Sequence, residues 1–468
     1  MMAEHTERLG KEMISSLIIK LSFPCVAAHL IHAVYNITDR IFIGYGVGPL
    51  GLSGVSLVFP VILIQISLCI LIEHGATALI SISLGERDKT KANLVLCNAC
   101  TLLLIISIPF PLFASFIVDT ILKILSTSEA AYPYAKDYLT VMLWGMPITA
   151  AGYVLTSFVR AEGNPKITFY ILLFGSTANI ILDAILIFQM NMGVKGAAYA
   201  TVFSQAATAV LAFYYFKTSR STLKLELKNF ILKQKIVTRI LALGTAPSIA
   251  EGLMAVYCII MNYYLMLYGG NDAVAAMGII LTSHMIILMF IFGACDGAQP
   301  IIGYNHGALN FDRVKETLIA TIKLVLVFST LFFLIIQIFP VLIVKAFTNN
   351  APLIDITSKA LRLVSLSIPI AGISMVGSFY FQATGRAFIA TALGILREAV
   401  IFIPVIVIMA AFFRLKGVWL SIPIADTFAS LLTLVLIIME IKKLNIKMEK
   451  TPQEKNSKLK IIMPKPLK

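Results

Sequence analysis

Twelve apolar stretches, each long enough to cross a bilayer as a helix, follow one another along the chain: 13–37, 52–80, 93–118, 136–159, 166–188, 196–216, 240–267, 273–303, 316–344, 359–382, 389–411 and 418–440. About 20 apolar residues per crossing suffice. The expected fold is therefore an all-α polytopic membrane protein of about twelve transmembrane helices. Composition agrees, because only 13% of the 468 residues are charged and 59% are hydrophobic, whereas soluble chains carry roughly a quarter charged residues. The start, MMAEHTERLGKEM, is polar, and the apolar segment after it is too long for a signal-peptide core, so it reads as an anchor.

The net charge of +14 reads as membrane topology, not as a nucleic-acid surface. With both termini on one side, that side receives about 26 Lys and Arg, from the N-terminal tail, GERDKTKAN, RAEGNPK, KTSRSTLKLELKNFILKQKIVTR, NHGALNFDRVKE, TGR and the Lys-rich C-terminal tail, against about 8 opposite. The positive-inside rule then predicts both termini in the cytoplasm. The six cysteines all lie in apolar sequence and are read as packing residues, with no structural disulfide expected.

An internal repeat organises the chain. Pro24 aligns with Pro247, Gly75 with Gly297, Gly85 with Gly307, Pro147 with Pro369, Gly163 with Gly385, and VKGAAYA with LKGVWLS, all at an offset of about 222 residues. Six spans per copy bring the second copy in from the same side as the first, which predicts two pseudo-symmetric six-helix lobes related by an axis along the membrane normal. The expected division is 1–216 for the N-terminal lobe, 217–239 for a basic cytoplasmic linker, 240–440 for the C-terminal lobe and 441–468 for a basic cytoplasmic tail. Pro24, Pro60, Pro147, Pro247, Pro369 and Pro404 fall inside predicted spans, where they bend or loosen a helix.

The costliest polar residues stand in ILLFGSTANIILDAILIF, where Asn179 and Asp183 are four residues apart and share a helix face. An ionisable group at that depth is by default functional. Bland readings stand beside this one. Asp39 next to Arg40 could be a helix-end pair, and Asn179 an interhelical hydrogen-bonding residue. His29, His32, Asp296, Asp426 and the Glu73–His74 pair are further polar candidates, the two histidines favoured for packing.

FPCVAAHLIHAVYNITDRIFIGYG, GATALISISLGERD, RAEGNPK, GAQPIIGYNHGALNFDRVKE and FQATGRAFIATALGILREAVIFIPV together resemble the multidrug and toxin extrusion (MATE) family, particularly its MepA-like bacterial branch, over residues 10–440. The resemblance implies twelve helices in two lobes of a bacterial inner membrane, and export of cationic or amphipathic drugs by antiport with H⁺ or Na⁺. It also implies a cation site of Asp39, Asn179, Asp183 and Thr201, whose oxygens would take Na⁺ or whose carboxylates would carry a proton. Thr201 is the weakest member, since a mid-helix threonine usually packs. Some members place a functional acid in the seventh helix, where this chain has Glu251, nearer the cytoplasmic end; Arg397 and Glu398 interrupt the eleventh span and are read first as a structural pair. No cofactor, nucleic-acid partner or enzymatic activity is expected, because no HExxH, GxSxG or P-loop stands in usable context. The expected partners are small-molecule drugs and the bilayer, and the expected state is a monomer. A lipid-linked saccharide flippase of related architecture is the alternative, and would favour a strongly cationic cavity.

Overall fold

The computed structural model describes residues 4–124, 130–348 and 350–462, so the last six residues of the expected tail lie outside the described residues. It is helical throughout: α1 (Glu4–Lys11), α2 (Ile14–Gly46), α3 (Pro49–Gly85), α4 (Lys89–Ser107), α5 (Pro109–Ile124), α6 (Tyr132–Ala161), α7 (Pro165–Asp183), α8 (Gly193–Lys217), α9 (Gln234–Gly307), α10 (Phe311–Ile338), α11 (Pro340–Lys345), α12 (Ala351–Val364), α13 (Ile368–Ala383), α14 (Ala387–Ile395) and α15 (Phe402–Ile462). Among the described residues eleven helical stretches are long and apolar enough to cross a membrane. The last runs from Ala387 to Glu449 and holds a break at Arg414, where φ is 50° and ψ is −133°. At 1.5 Å per residue its 63 residues are far too long for one crossing, so it folds as two spans and the crossings number twelve. In α9 the equivalent break falls at Gly270.

The duplication is written into the backbone. Left-handed φ values occur at Gly48 and Gly270, at Arg87 and Leu309, at Gly163 and Gly385, and at Asn191 and Arg414. The first three pairs are each 222 residues apart and the fourth 223. Each marks a turn between helices, where a positive φ reverses the chain. Arg87 and Leu309 hold that geometry without being glycine, so the turn is preserved where the residue type is not. One buried hydrophobic cluster, running from Ala246 to Leu444, belongs to the second half, and two others are built mainly from the first.

The prolines behave less uniformly than the sequence pattern predicts. Pro24, Pro60, Pro147 and Pro247 lie inside helices. Pro369 does not: it opens α13 directly after a short 3-10 turn, where its missing N–H leaves nothing unsatisfied. Its partner Pro147 lies inside a continuous α-helix, so the two matched prolines stand in different local settings. The link between the halves is shorter than 217–239, since α8 ends at Lys217 and α9 begins at Gln234. That link lies against the first half. Asn98 donates to the carbonyl of Asn229 at 2.9 Å and accepts from the Lys233 amide at 2.7 Å, and the Thr101 hydroxyl donates to the Phe230 carbonyl at 2.8 Å. Glu162, in the α6–α7 turn, accepts from the Ser221 hydroxyl and from the amides of Thr222 and Leu223.

The halves meet through close backbone approach. A side chain on Gly85 would overlap the Tyr304 carbonyl, and one on Gly307 would overlap that of Ile82; Gly75 stands against Ile240 and Gly244, and Gly297 against Ser22. These are the glycines that the repeat had paired, and each pair exchanges its role across the pseudo-axis. The crossing lies toward the first half of α2 and the second half of α3, the end of the bundle where both chain termini lie.

Candidate cation site and lobe interface

Asn164 precedes α7, Pro165 starts it, and the helix runs regularly to Asp183. It then widens into a π-helical turn, Ala184–Gln189. Such turns re-aim side chains and recur at functional sites. Asn179 is 1% exposed and Asp183 is fully buried, one turn apart on a single face. Helix α2 packs along α7 and contributes buried Asp39, near enough for its charge to act on Asp183. Tyr138, from α6, lies within the field of both carboxylates.

The decisive feature is what these groups lack. Asp39 Oδ1, both carboxylate oxygens of Asp183 and both amide atoms of Asn179 are buried without a hydrogen-bond partner among the described residues. Buried polar groups are almost always paired, and an isolated buried carboxylate is expensive. Four of these five atoms are oxygens, a set suited to an added proton on a carboxylate or to a small hard cation, which takes oxygen ligands. Arg40, next to Asp39, sits over the Phe59 ring, 5.6 Å from its centroid, while remaining close enough for its charge to act on Asp39. Thr201 is half-buried on α8, and its hydroxyl is not among these orphaned atoms.

The second half has a π-helical turn too, Leu396–Ile401, which contains Arg397 and Glu398. Its polar groups are paired. Arg397 lies 3.0 Å from Asp426 and 3.1 Å from Glu398, and the Ser367 hydroxyl donates to Asp426. Glu251, half-buried on α9, lies close enough to feel the Glu398 charge. The two lobes thus hold different chemistry: an unpaired acid pair in the first, a neutralised guanidinium in the second.

A third polar group lies between the halves. Arg160 Nη1 is 2.9 Å from Asp296 Oδ2, which His29 Nε2 also reaches at 2.9 Å. Glu73 accepts from Ser157 and lies 3.5 Å from Arg160. His32 bonds to Tyr153 at 2.8 Å and to Tyr35 at 3.1 Å, so it does more than pack. In the sequence Arg160 opens the basic connection RAEGNPK; the structure buries it to 8% exposure. Its i, i+4, i+7 spacing with Tyr153 and Ser157 on one helix face was the available signal. Tyr138 carried no sequence signal beyond its place in an apolar span.

A family model described as MatE matches the chain twice, over residues 24–185 and 247–411. The chain belongs to the MATE family. MATE proteins are transporters, and the two matched segments fall one in each half. The multidrug export protein MepA of Staphylococcus aureus (strain bovine RF122 / ET3-1) is 28% identical over 91% of this chain and 94% of its own length, and MepA of Staphylococcus haemolyticus is 28% identical over 91% and 93%. Among solved structures, a multidrug resistance MATE family transporter in an outward-facing conformation superposes with a TM-score of 0.88 at 25% identity, covering 94% of this chain and 98% of that one. This MATE chain is a multi-pass membrane protein, and its bacterial relatives place it in a cytoplasmic membrane.

Proposed function

We propose that this protein is a multidrug exporter that moves cationic or amphipathic compounds out of the cell by antiport with H⁺ or Na⁺. The observation that carries this reading is the set of orphaned buried atoms on Asp39, Asn179 and Asp183. A proton or a cation relieves their desolvation cost, so the lobe is built to gain and lose one. The excess of Lys and Arg on the terminal side supports placing both termini in the cytoplasm. On that placement the contacts between halves described above lie on the cytoplasmic side. Coupling follows if the cation and the drug favour different states of the two lobes.

A lipid-linked saccharide flippase needs an unneutralised cationic cavity for pyrophosphate. Arg160 and Arg397 are each held by carboxylates, which weighs against that reading. The test is efflux of a fluorescent cationic dye from vesicles containing the purified protein, with H⁺ and Na⁺ gradients imposed separately. Gradient-driven dye movement that Asp183→Asn abolishes is the expected result. Dye movement indifferent to both gradients would remove the antiport reading.

A further inference from the structure

The MATE fold leaves the ionic group between the lobes without a role. Arg160 comes from α6, His29 from α2 and Asp296 from α9, so two helices of the first half reach one carboxylate of the second, while Glu73 of α3 holds Arg160 from the other side. The pairing is buried, with side chains of Arg160 and Asp296 at 10% and 5% exposure. Around it the backbones are in contact: Ser22 Oγ donates to the Ala294 carbonyl at 3.3 Å, and a Cβ on Gly293 would strike Val26. Ser67 and Ser248 bond across the same boundary at 3.0 Å. Charge that close-packed cannot slide; it is either made or broken.

The group also reaches toward the cation site. His29, His32, Asn36 and Asp39 stand three or four residues apart on α2 and therefore share one face. One neighbouring pair is bonded, Asn36 Nδ2 to His32 Nδ1 at 3.0 Å, and His32 also bonds to Tyr153 of α6 at 2.8 Å. Helix α6 repeats the pattern with Tyr153, Ser157 and Arg160. A rotation of α2 that follows occupancy at Asp39 would turn His29, on the same face, with it.

We propose that the Arg160–Asp296–His29 cluster, braced by Glu73, is the latch that holds the two lobes together on the terminal side, and that the polar stripe of α2 connects it to the cation site. Each cycle breaks the latch to open that side and remakes it on closing. The proposal rests on the exporter reading for its place in a cycle, but not for its test.

Cys25 offers the reporter. It is 4% exposed and lies on the α2 face between Ser22 and His29, against α9. In a full-length protein with the other five cysteines replaced by alanine, a membrane-impermeant maleimide is applied to the terminal side of sealed vesicles. Removing one partner of a buried pair leaves an uncompensated charge, so Asp296→Asn and Arg160→Gln should each speed Cys25 labelling by about tenfold or more. Parallel proteins retaining only Cys97, buried within the first half beneath the link, should stay unlabelled. Unchanged Cys25 labelling in both single variants overturns the proposal, and so does an equal rise at Cys97, which marks general loosening. No substrate or coupling ion enters this assay, so its failure is distinct from failure of the gradient-driven dye test.

Discussion

Gly85 lies directly against the main-chain carbonyl of Tyr304, with no room for a Cβ between them. The reciprocal contact, Gly307 on Ile82, sits 222 residues away on both sides. Backbone cannot give way as a flexible side chain can, so overpacking here is felt by the whole lobe interface. Gly85→Ala and Gly307→Ala should each cost about 1–3 kcal/mol and lower the thermal midpoint in detergent. Gly278→Ala is the control: nothing lies within 4 Å of its would-be Cβ, and the helix should gain about 0.5–1 kcal/mol. A Gly85→Ala protein as stable as the parent would mean that the two backbones are not in contact in the folded protein.

At the cation site the expected signature is the opposite, a loss of function without a loss of fold. Asp183 accepts no hydrogen bond from the protein among the described residues, so Asp183→Asn removes a costly charge and breaks no pairing. Its thermal midpoint should hold or rise, while gradient-driven dye efflux falls at least about tenfold, because one titrating or ligating group of the site is gone. Asp39→Asn should behave in the same way. If either variant keeps gradient-driven efflux, that carboxylate is outside the coupling site.

The twelve apolar stretches and the 222-residue offset make the fold legible in the sequence, because hydrophobic length and Gly/Pro spacing are local signals. Asn179 and Asp183 were legible for the same reason, being polar residues in a hydrocarbon-length run. What one helix does to another was not. Arg160 looked like loop charge because its partner Asp296 lies 136 residues further on and in the other lobe. Arg397 and Glu398 were adjacent and visible, but the pairing with Asp426 that neutralises them depends on α15 folding back alongside. The division of Pro147 from Pro369 was equally hidden, since a proline inside a span does not say whether the helix bends there or starts afresh.

Glu162 ties the link between the lobes to the α6–α7 turn. Burial, opposed by its hydrogen bonds, pushes its carboxyl up to about 7. A carboxyl held above its unfolded value binds more protons in the native state than in the unfolded one between the two pKa values. Its stabilising contribution is therefore complete below the ordinary glutamate range and is lost as pH rises through about 7. The thermal midpoint should fall across that window, and Glu162→Gln should flatten the slope. A slope that survives the substitution unchanged would assign it to other groups.

Near the end of α13, Arg386 places both terminal nitrogens on the carboxylate of Glu440, a residue 2% exposed on α15 that also accepts from the Tyr380 hydroxyl at 3.2 Å. The two-pronged geometry suits a guanidinium and not an ammonium. Truncation leaves a buried carboxylate with only the tyrosine donor. Arg386→Ala should therefore destabilise the C-terminal half by about 3–5 kcal/mol, and Arg386→Lys should recover only part of it. Removing the charge from the other side, in Arg386→Ala/Glu440→Gln, should return much of the loss, because the penalty lies in the stranded carboxylate more than in the missing attraction. Thermal midpoints of the four proteins decide it: equal losses in Arg386→Ala and in the double variant would show that the pair contributes through packing of the arginine stem, not through its charge.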